Sequence, residues 1–164
     1  MSSRPTPVLR VAPVAFTDPD TQRLVAEVQA EYVVRYGGPD SSPLEEGVFD
    51  PPRGAFFLGY ENGVPVAMGG WRLRSDVLPF GGRSAAEVKR MYVAPAARRR
   101  GHARVVLAHL EATAREAGYE AVVLSTGAPQ VAAVGLYSSA GYELVEPFGP
   151  YAAHPGCRCF GKRL

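Results

Sequence analysis

Apolar residues recur along this chain with two different periods. Leu24, Val25, Val28, Tyr32 and Val33 fall three and four residues apart, which predicts a helix with one buried face. Asp18-Pro19 suits its start, because Asp caps free N–H groups and Pro fits the first turn. Gly37-Gly38-Pro39 ends it. A second amphipathic stretch, Val105 to Ala117, lies in a predicted helix over 101–116 that Gly118 closes. Between these helices lie short runs of apolar and β-branched residues, 55–60, 66–74 and 86–93, which predict strands. Asn62-Gly63 joins the first two as a hairpin turn, since both residues tolerate positive φ.

The remaining pattern is shorter. Val8 to Val11 predicts a first strand, and Ser42-Pro43-Leu44-Glu45 a short second helix ended by Asp50-Pro51-Pro52. Asp76 to Ser84 predicts a loop, and 120–125 a strand. Pro129 to Ala140 predicts a helix closed by Gly141, followed by strands over 142–145 and 156–162. The order is β-α-α-β-β-β-α-β-α-β-β. A hairpin-built half is joined to βαβ crossovers, so the fold class is α/β, of the α+β type.

Composition narrows the function. The 164 residues suit one domain, 1–164, with a sizeable core. A net charge of +2 gives no general polyanion-binding signature, so no nucleic-acid partner is expected. No apolar run reaches membrane-span length, and the first residues lack an apolar signal core. No membrane partner and a cytoplasmic location are therefore expected. Lys89 and Lys162 are the only lysines among the 18 Lys and Arg residues. With abundant Ala, Gly and Pro, that bias suggests a GC-rich, bacterial genome. Cys157 and Cys159 share a face of the last strand, where core packing is expected of them. With His154 they are too few for a structural zinc site, and no metal is expected.

The basic charge is local. Arg98-Arg99-Arg100-Gly101-His102-Ala103-Arg104 follows the strand ending at Val93 and opens the second long helix. A loop there turns several N–H groups toward one point, where the helix dipole also favours negative charge. The arginines add fork-shaped donors, so a phosphate or pyrophosphate is the natural ligand. The loop lacks the Gly-Lys-Ser/Thr ending of a P-loop and the three spaced glycines of a dinucleotide fold.

Its pattern, Arg98-x-x-Gly101-x-Ala103, resembles the pyrophosphate-binding motif of the GNAT superfamily of N-acetyltransferases. Downstream, Gln130-x-x-Ala133-x-x-Leu136-Tyr137-x-x-x-Gly141-Tyr142 resembles that family's second signature, with Gln130 replacing Asn and Tyr142 replacing Phe. The resemblance covers roughly residues 55 to 164, and more weakly the first helix. It implies a mixed sheet of about six to seven strands with about four helices, in which two strands diverge around acetyl-CoA.

The resemblance also implies roles. The pantetheine arm would run along the backbone at Met91, Tyr92 and Val93, with an N–H near Val93 polarising the thioester carbonyl. The pyrophosphate would meet the N–H groups of Arg100, Gly101, His102 and Ala103, and the Arg98 side chain ahead of Arg99, Arg100 and Arg104. His102 is expected to face solvent. Gln130 would hold the pantetheine or the strand backbone.

Tyr137 would protonate or hydrogen-bond the leaving thiolate, with ring packing onto the sheet as the alternative. Glu87 lies six residues before Val93, the spacing of a general-base glutamate in this family. Residues 87, 89, 91 and 93 share a face unless a bulge intervenes, and the alternative for Glu87 is a pair with Lys89, Arg90 or Arg83. The acceptor groove would lie among Tyr32, Arg35, Tyr36, Gly37 to Asp40, Trp71 and Phe148 to His154. Aromatics with a few carboxylates suit a small cationic amine.

The expected activity is direct acetyl transfer from acetyl-CoA, the cosubstrate, to a primary amine of a small molecule or protein. A homodimer is compatible with it. Two alternatives stay open: a non-catalytic acyl-CoA-binding module, and a transferase for another acyl group.

Overall fold

A computed structural model describes residues 7–41, 44–127 and 130–164. Its elements are β1 (Leu9–Pro13), α1 (Pro19–Tyr36), β2 (Gly54–Glu61), β3 (Val64–Arg74), β4 (Ala85–Val93), a 3-10 turn (Pro95–Ala97), α2 (His102–Glu116), β5 (Ala121–Gly127), α3 (Val131–Ser139), β6 (Glu143–Leu144) and β7 (Cys157–Arg163). They form a seven-stranded sheet ordered β1-β2-β3-β4-β5-β7-β6. The first four strands are antiparallel, β4 and β5 pair in parallel, and β7 pairs antiparallel with both β5 and β6.

Local chemistry explains the boundaries. Asp18 accepts a hydrogen bond from the Asp20 N–H at 2.9 Å, and Gly37 ends α1 in the left-handed region at φ 79°. Asn62 and Gly63 both have positive φ, as a hairpin turn of this length requires. Three α-helices stand among the described residues where about four are expected. The short second helix is absent: Glu46 to Asp50 form turns, while Ser42 and Pro43 lie outside the described residues. A run of Pro and Gly near Leu44 supplies no helical face to bury. Pro129, the expected start of α3, also lies outside them.

Two cores sandwich the sheet. Leu24 and Val28 of α1 pack with Phe49, Phe56, Leu58, Met68 and Tyr92 on one face. Val106, Leu107, Leu110 and Ala114 of α2 pack with Phe57, Trp71, Val88 and Val122 on the other, continuous with Tyr137 of α3. Each buried Leu contributes about 1.5–3 kcal/mol. Gly69 lets α2 approach closely, because a Cβ there would lie 3.1 Å from both Val106 and Leu110. α2 is thereby pinned across the sheet, and its N-terminus is set beside the end of β4.

Candidate active site

The site begins with a defect in β4. Gly70 pairs with Lys89 and Met68 with Tyr92, so Arg90 and Met91 together oppose Gly69. This is a β-bulge, and Arg90 sits in it at φ 59°. The bulge reverses the alternation of side chains. Glu87 lies opposite Arg72 on the α1 face with Lys89, whereas Met91 and Val93 pack into the α2-face core. Residues 87, 89, 91 and 93 therefore do not share one face. Tyr92 turns to the α1 face, where its hydroxyl donates to Glu27 at 3.1 Å and burial raises its pKa to about 12.

The bulge also marks where two strands part. β4 and β5 pair only at Ala85–Ala121, Ala86–Val122 and Glu87–Val123. Beyond that point a cleft of about 80 Å³ opens, lined by Glu87, Lys89, Arg90, Thr126, Gln130 and Tyr137 among others. Tyr137 reaches it from the α2 face and Tyr32 from α1, so the cleft passes through the sheet. It leaves unpaired strand edge at 88–93, the kind of edge an extended chain can join.

The open edge of β4 ends at Val93, and the basic loop follows it in the chain. Gly101 caps α2 at φ 78° and Arg99 has φ 64°. The first-turn N–H groups of α2, at His102, Ala103 and Arg104, have no intrahelical acceptor, and Gly101 brings no side chain to cap them. Free N–H groups of this kind suit an anion. The arginine side chains are placed differently from expectation. Arg98 turns back, donating from Nε to the Val93 carbonyl at 2.8 Å and pairing with Glu31. Arg100 pairs with Glu61, and Arg104 donates to Ser139 Oγ. His102 is buried rather than solvent-facing, with Nε2 2.6 Å from Glu61 Oε2, because its position in the first turn of α2 aims it beneath the loop. Hydrogen bonds from His102 and Arg100 hold the Glu61 carboxyl below its usual range.

Tyr137 is 6% exposed, and its ring meets Tyr142 and Phe160 edge-on or tilted. Burial pushes its phenol well above the usual range. It stays protonated at neutral pH, so it can donate but not accept a proton. Gln130 caps α3 and lines both the cleft and the neighbouring groove. Glu87 is 4% exposed and paired, though not with Lys89, Arg90 or Arg83. Its Oε1 accepts from Arg72 Nε at 2.7 Å and Arg74 Nη1 at 2.9 Å, since cross-strand register sets Arg72 directly opposite. That oxygen's lone pairs are already engaged by two guanidiniums.

A groove of about 590 Å³ adjoins the cleft, lined by Tyr32, Tyr36, Gly38 to Ser41, Ser125 to Gly127, Gln130, Tyr151, His154, Gly156 and Cys157. Burial raises the Tyr32 phenol to about 12. Asp40 pairs with the buried Arg90 and accepts from Tyr151 at 3.0 Å. Several expected groove residues, Trp71, Arg35 and Phe148 among them, do not line it. Trp71 is on the α2 face, its Nε1 donating to Thr113 at 3.0 Å, because odd-numbered positions here point away from α1. Arg35 pairs along α1 with Glu31. Phe148 packs against the small core of Ala85, Ala121 and Val123.

Sequence reasoning missed Lys89, Arg90, Ser125, Thr126 and Cys157 as site residues. A signal for the first two is present: adjacent cations interrupt an otherwise apolar strand, and a bulge is one way to accommodate both. Cys159 is buried as expected, but Cys157 is half-buried and lines the groove. Among the described residues no cluster of three His, Cys, Asp or Glu could hold a metal. Among them, too, no helix is long and apolar enough to cross a membrane.

Comparison with known proteins identifies the family and the fold. The sequence pattern of the Acetyltransferase (GNAT) family matches residues 21–142. The chain belongs to that family. An IAA acetyltransferase from Azospirillum brasilense is 44% identical over 69 residues, which are 42% of this chain and 45% of that protein. This chain thus matches less than half the length of that relative. A Klebsiella pneumoniae structure assigned as an acyl-CoA N-acyltransferase is 27% identical, with a TM-score of 0.76 over 95% of this chain and 97% of that one. A Thermoplasma acidophilum N-acetyltransferase in complex with coenzyme A shares the fold at 10% identity, with a TM-score of 0.70 over 96% and 99% of the two chains.

Proposed function

We propose that this chain transfers an acetyl group from acetyl-CoA to the primary amine of a small molecule by direct attack. One observation carries the reading: the unpaired edge of β4 beyond Glu87 begins beside a substrate-sized groove and ends at Val93, ahead of the free N–H groups that start α2. The relatives support acyl-CoA as the donor, since the matched proteins are named acetyltransferases or acyl-CoA N-acyltransferases.

In this reading the pyrophosphate lies on the N–H groups from Arg100 to Ala103. Arg99, and Arg98 or Arg100 released from Glu31 and Glu61, reinforce it. Exposed pairs of that kind are worth only about 0–1 kcal/mol, so a phosphate displaces them readily. Pantetheine extends along the open edge at Met91 to Val93, steadied by Gln130. An N–H near Val93 faces the charge that develops on the thioester oxygen. The amine enters from the groove as the neutral base and attacks the carbonyl carbon. The C–S bond breaks, and the Tyr137 hydroxyl donates a hydrogen bond to the departing thiolate, which then takes a proton from water.

The proton lost by the amine leaves through water in the groove. Glu87, held by two arginines, fixes the geometry of β3 against β4 rather than taking that proton. The test is an acceptor screen that follows thiol release from acetyl-CoA, with propionyl- and succinyl-CoA as competitors. Amine-dependent release with acetyl-CoA preferred supports the reading. Binding of acetyl-CoA without turnover of any amine removes the catalytic part.

A further inference from the structure

The walls of the cleft hold more hydrogen-bond donors than acceptors. Arg90 is 7% exposed, and its Nη1 pairs with Asp40, yet its Nε has no partner. The Thr126 hydroxyl is likewise buried without a partner. Lys89 makes no ion pair among the described residues, although it is half-buried and loses hydration there. All three line the same cleft where it meets the groove. A buried donor left unpaired is costly, and a desolvated cation more so.

The carboxylates nearby meet this need only in part: Glu87 and Asp40 favour the Lys89 charge from a distance but form their ion pairs with arginines. Glu87 is taken by Arg72 and Arg74, and Asp76 by Arg74. Asp40 accepts from Arg90 and Tyr151. Four cationic side chains thus face three carboxylates, and Lys89 is the surplus. The space beside it, about 80 Å³, far exceeds the roughly 10–15 Å³ that admits one water. An anionic, planar acceptor fits these donors. Beyond it, Tyr32, Tyr36 and Tyr151 give the groove walls that suit an apolar or aromatic body.

Resting on the acetyl-transfer reading above, we propose that the acceptor is an amine that carries a carboxylate, of the amino-acid class, with the carboxylate held by Lys89, Arg90 and Thr126. The charge balance of the cleft replaces the simple cationic amine expected from sequence. Lys89 is a specificity-determining residue, and its side chain reads the substrate rather than reacting with it.

Matched acceptors test this. A panel of L-amino acids is compared with the corresponding carboxamides, which keep the amine and body but lose the charge. The carboxylate form is expected to show a kcat/KM about 10- to 100-fold higher for at least one apolar or aromatic member. Lys89→Met should erase that preference, chiefly through KM, and Lys89→Arg should retain most of it. Calorimetry on the same samples should give unchanged acetyl-CoA affinity for Lys89→Met. Equal use of carboxamides, a preference that survives Lys89→Met, or no turnover of any amino acid would each overturn the proposal. So would a loss of acetyl-CoA binding in Lys89→Met, which would assign Lys89 to the cofactor. A wild-type protein that binds no acetyl-CoA would instead bring down the acetyl-transfer reading itself.

Discussion

The two ends of the proposed binding path are built from different materials. At the end proposed for the phosphates, the available groups are backbone N–H donors at the start of α2, ordered by Gly101 at φ 78° and by the helix that follows. At the end proposed for the acceptor, they are side chains drawn from α1, β5 and the turn before β7, with Lys89 and Arg90 of β4 in the adjoining cleft. A backbone cradle needs only a glycine and a helix, and its surrounding side chains can turn to other partners, as Arg98 and Arg100 do. A side-chain groove has no such tolerance. Its character depends on which residue the fold delivers to each position, and one bulge at Arg90 redirects a whole strand.

The largest effect is expected at Tyr137, which belongs to neither end and is proposed to act at the reacting sulfur. Tyr137→Phe keeps the ring and its packing. Single-turnover acetyl transfer should fall by up to about 10²–10⁴-fold while acetyl-CoA affinity stays within about twofold. Because burial holds this phenol protonated, the wild-type rate should show no alkaline decline from Tyr137 below about pH 10, the ordinary phenol pKa. Wild-type rates in the Phe variant would make Tyr137 a packing residue.

The phosphate end is tested next. Gly101→Glu places a carboxylate at the cradle, and Arg99→Glu does so at an exposed residue without changing the cap. Both should weaken acetyl-CoA binding by about 10- to 100-fold, the worth of one or two charge-assisted hydrogen bonds. Arg99→Glu should leave Tm nearly unchanged, so that lost binding is not lost folding. An affinity unaffected by both variants would move the phosphates elsewhere.

Glu87→Gln separates positioning from base catalysis. Losing the charge between Arg72 and Arg74 should cost about 1–3 kcal/mol of stability, read from denaturant unfolding. The pH–rate profile should overlay the wild type in shape. A selective loss of rate at low pH would restore Glu87 as the base. The smallest effect is expected at Cys157, on the groove wall. Cys157→Ser should keep turnover within about threefold, as for a change away from the reacting atoms. Abolished turnover would indicate an acyl-thiol intermediate instead of direct attack.

These contrasts also show what the sequence made legible. The start of α1, the Asn62-Gly63 hairpin and the βαβ crossover around α2 were readable because each follows from local chemistry. The site's side chains were less so. Glu87 pairs with Arg72 and Arg74 through cross-strand register, and no local spacing reveals which arginine lies opposite. Trp71 was placed in the groove by its aromatic character, yet strand parity sends it to α2. His102 sits in the loop by sequence and beneath it by packing. Lys89 and Arg90 were visible as charges in an apolar run, but their place in the cleft depends on the bulge.

The central claim is that acetyl-CoA lies in the parted strands with its pyrophosphate on the N-terminus of α2. Calorimetric titration of the wild-type protein with acetyl-CoA and with S-acetylpantetheine, which lacks the phosphates, tests it most directly. The account predicts that acetyl-CoA binds about 100-fold or more tightly than the truncated thioester. Equal affinities, or no binding of acetyl-CoA, would contradict it.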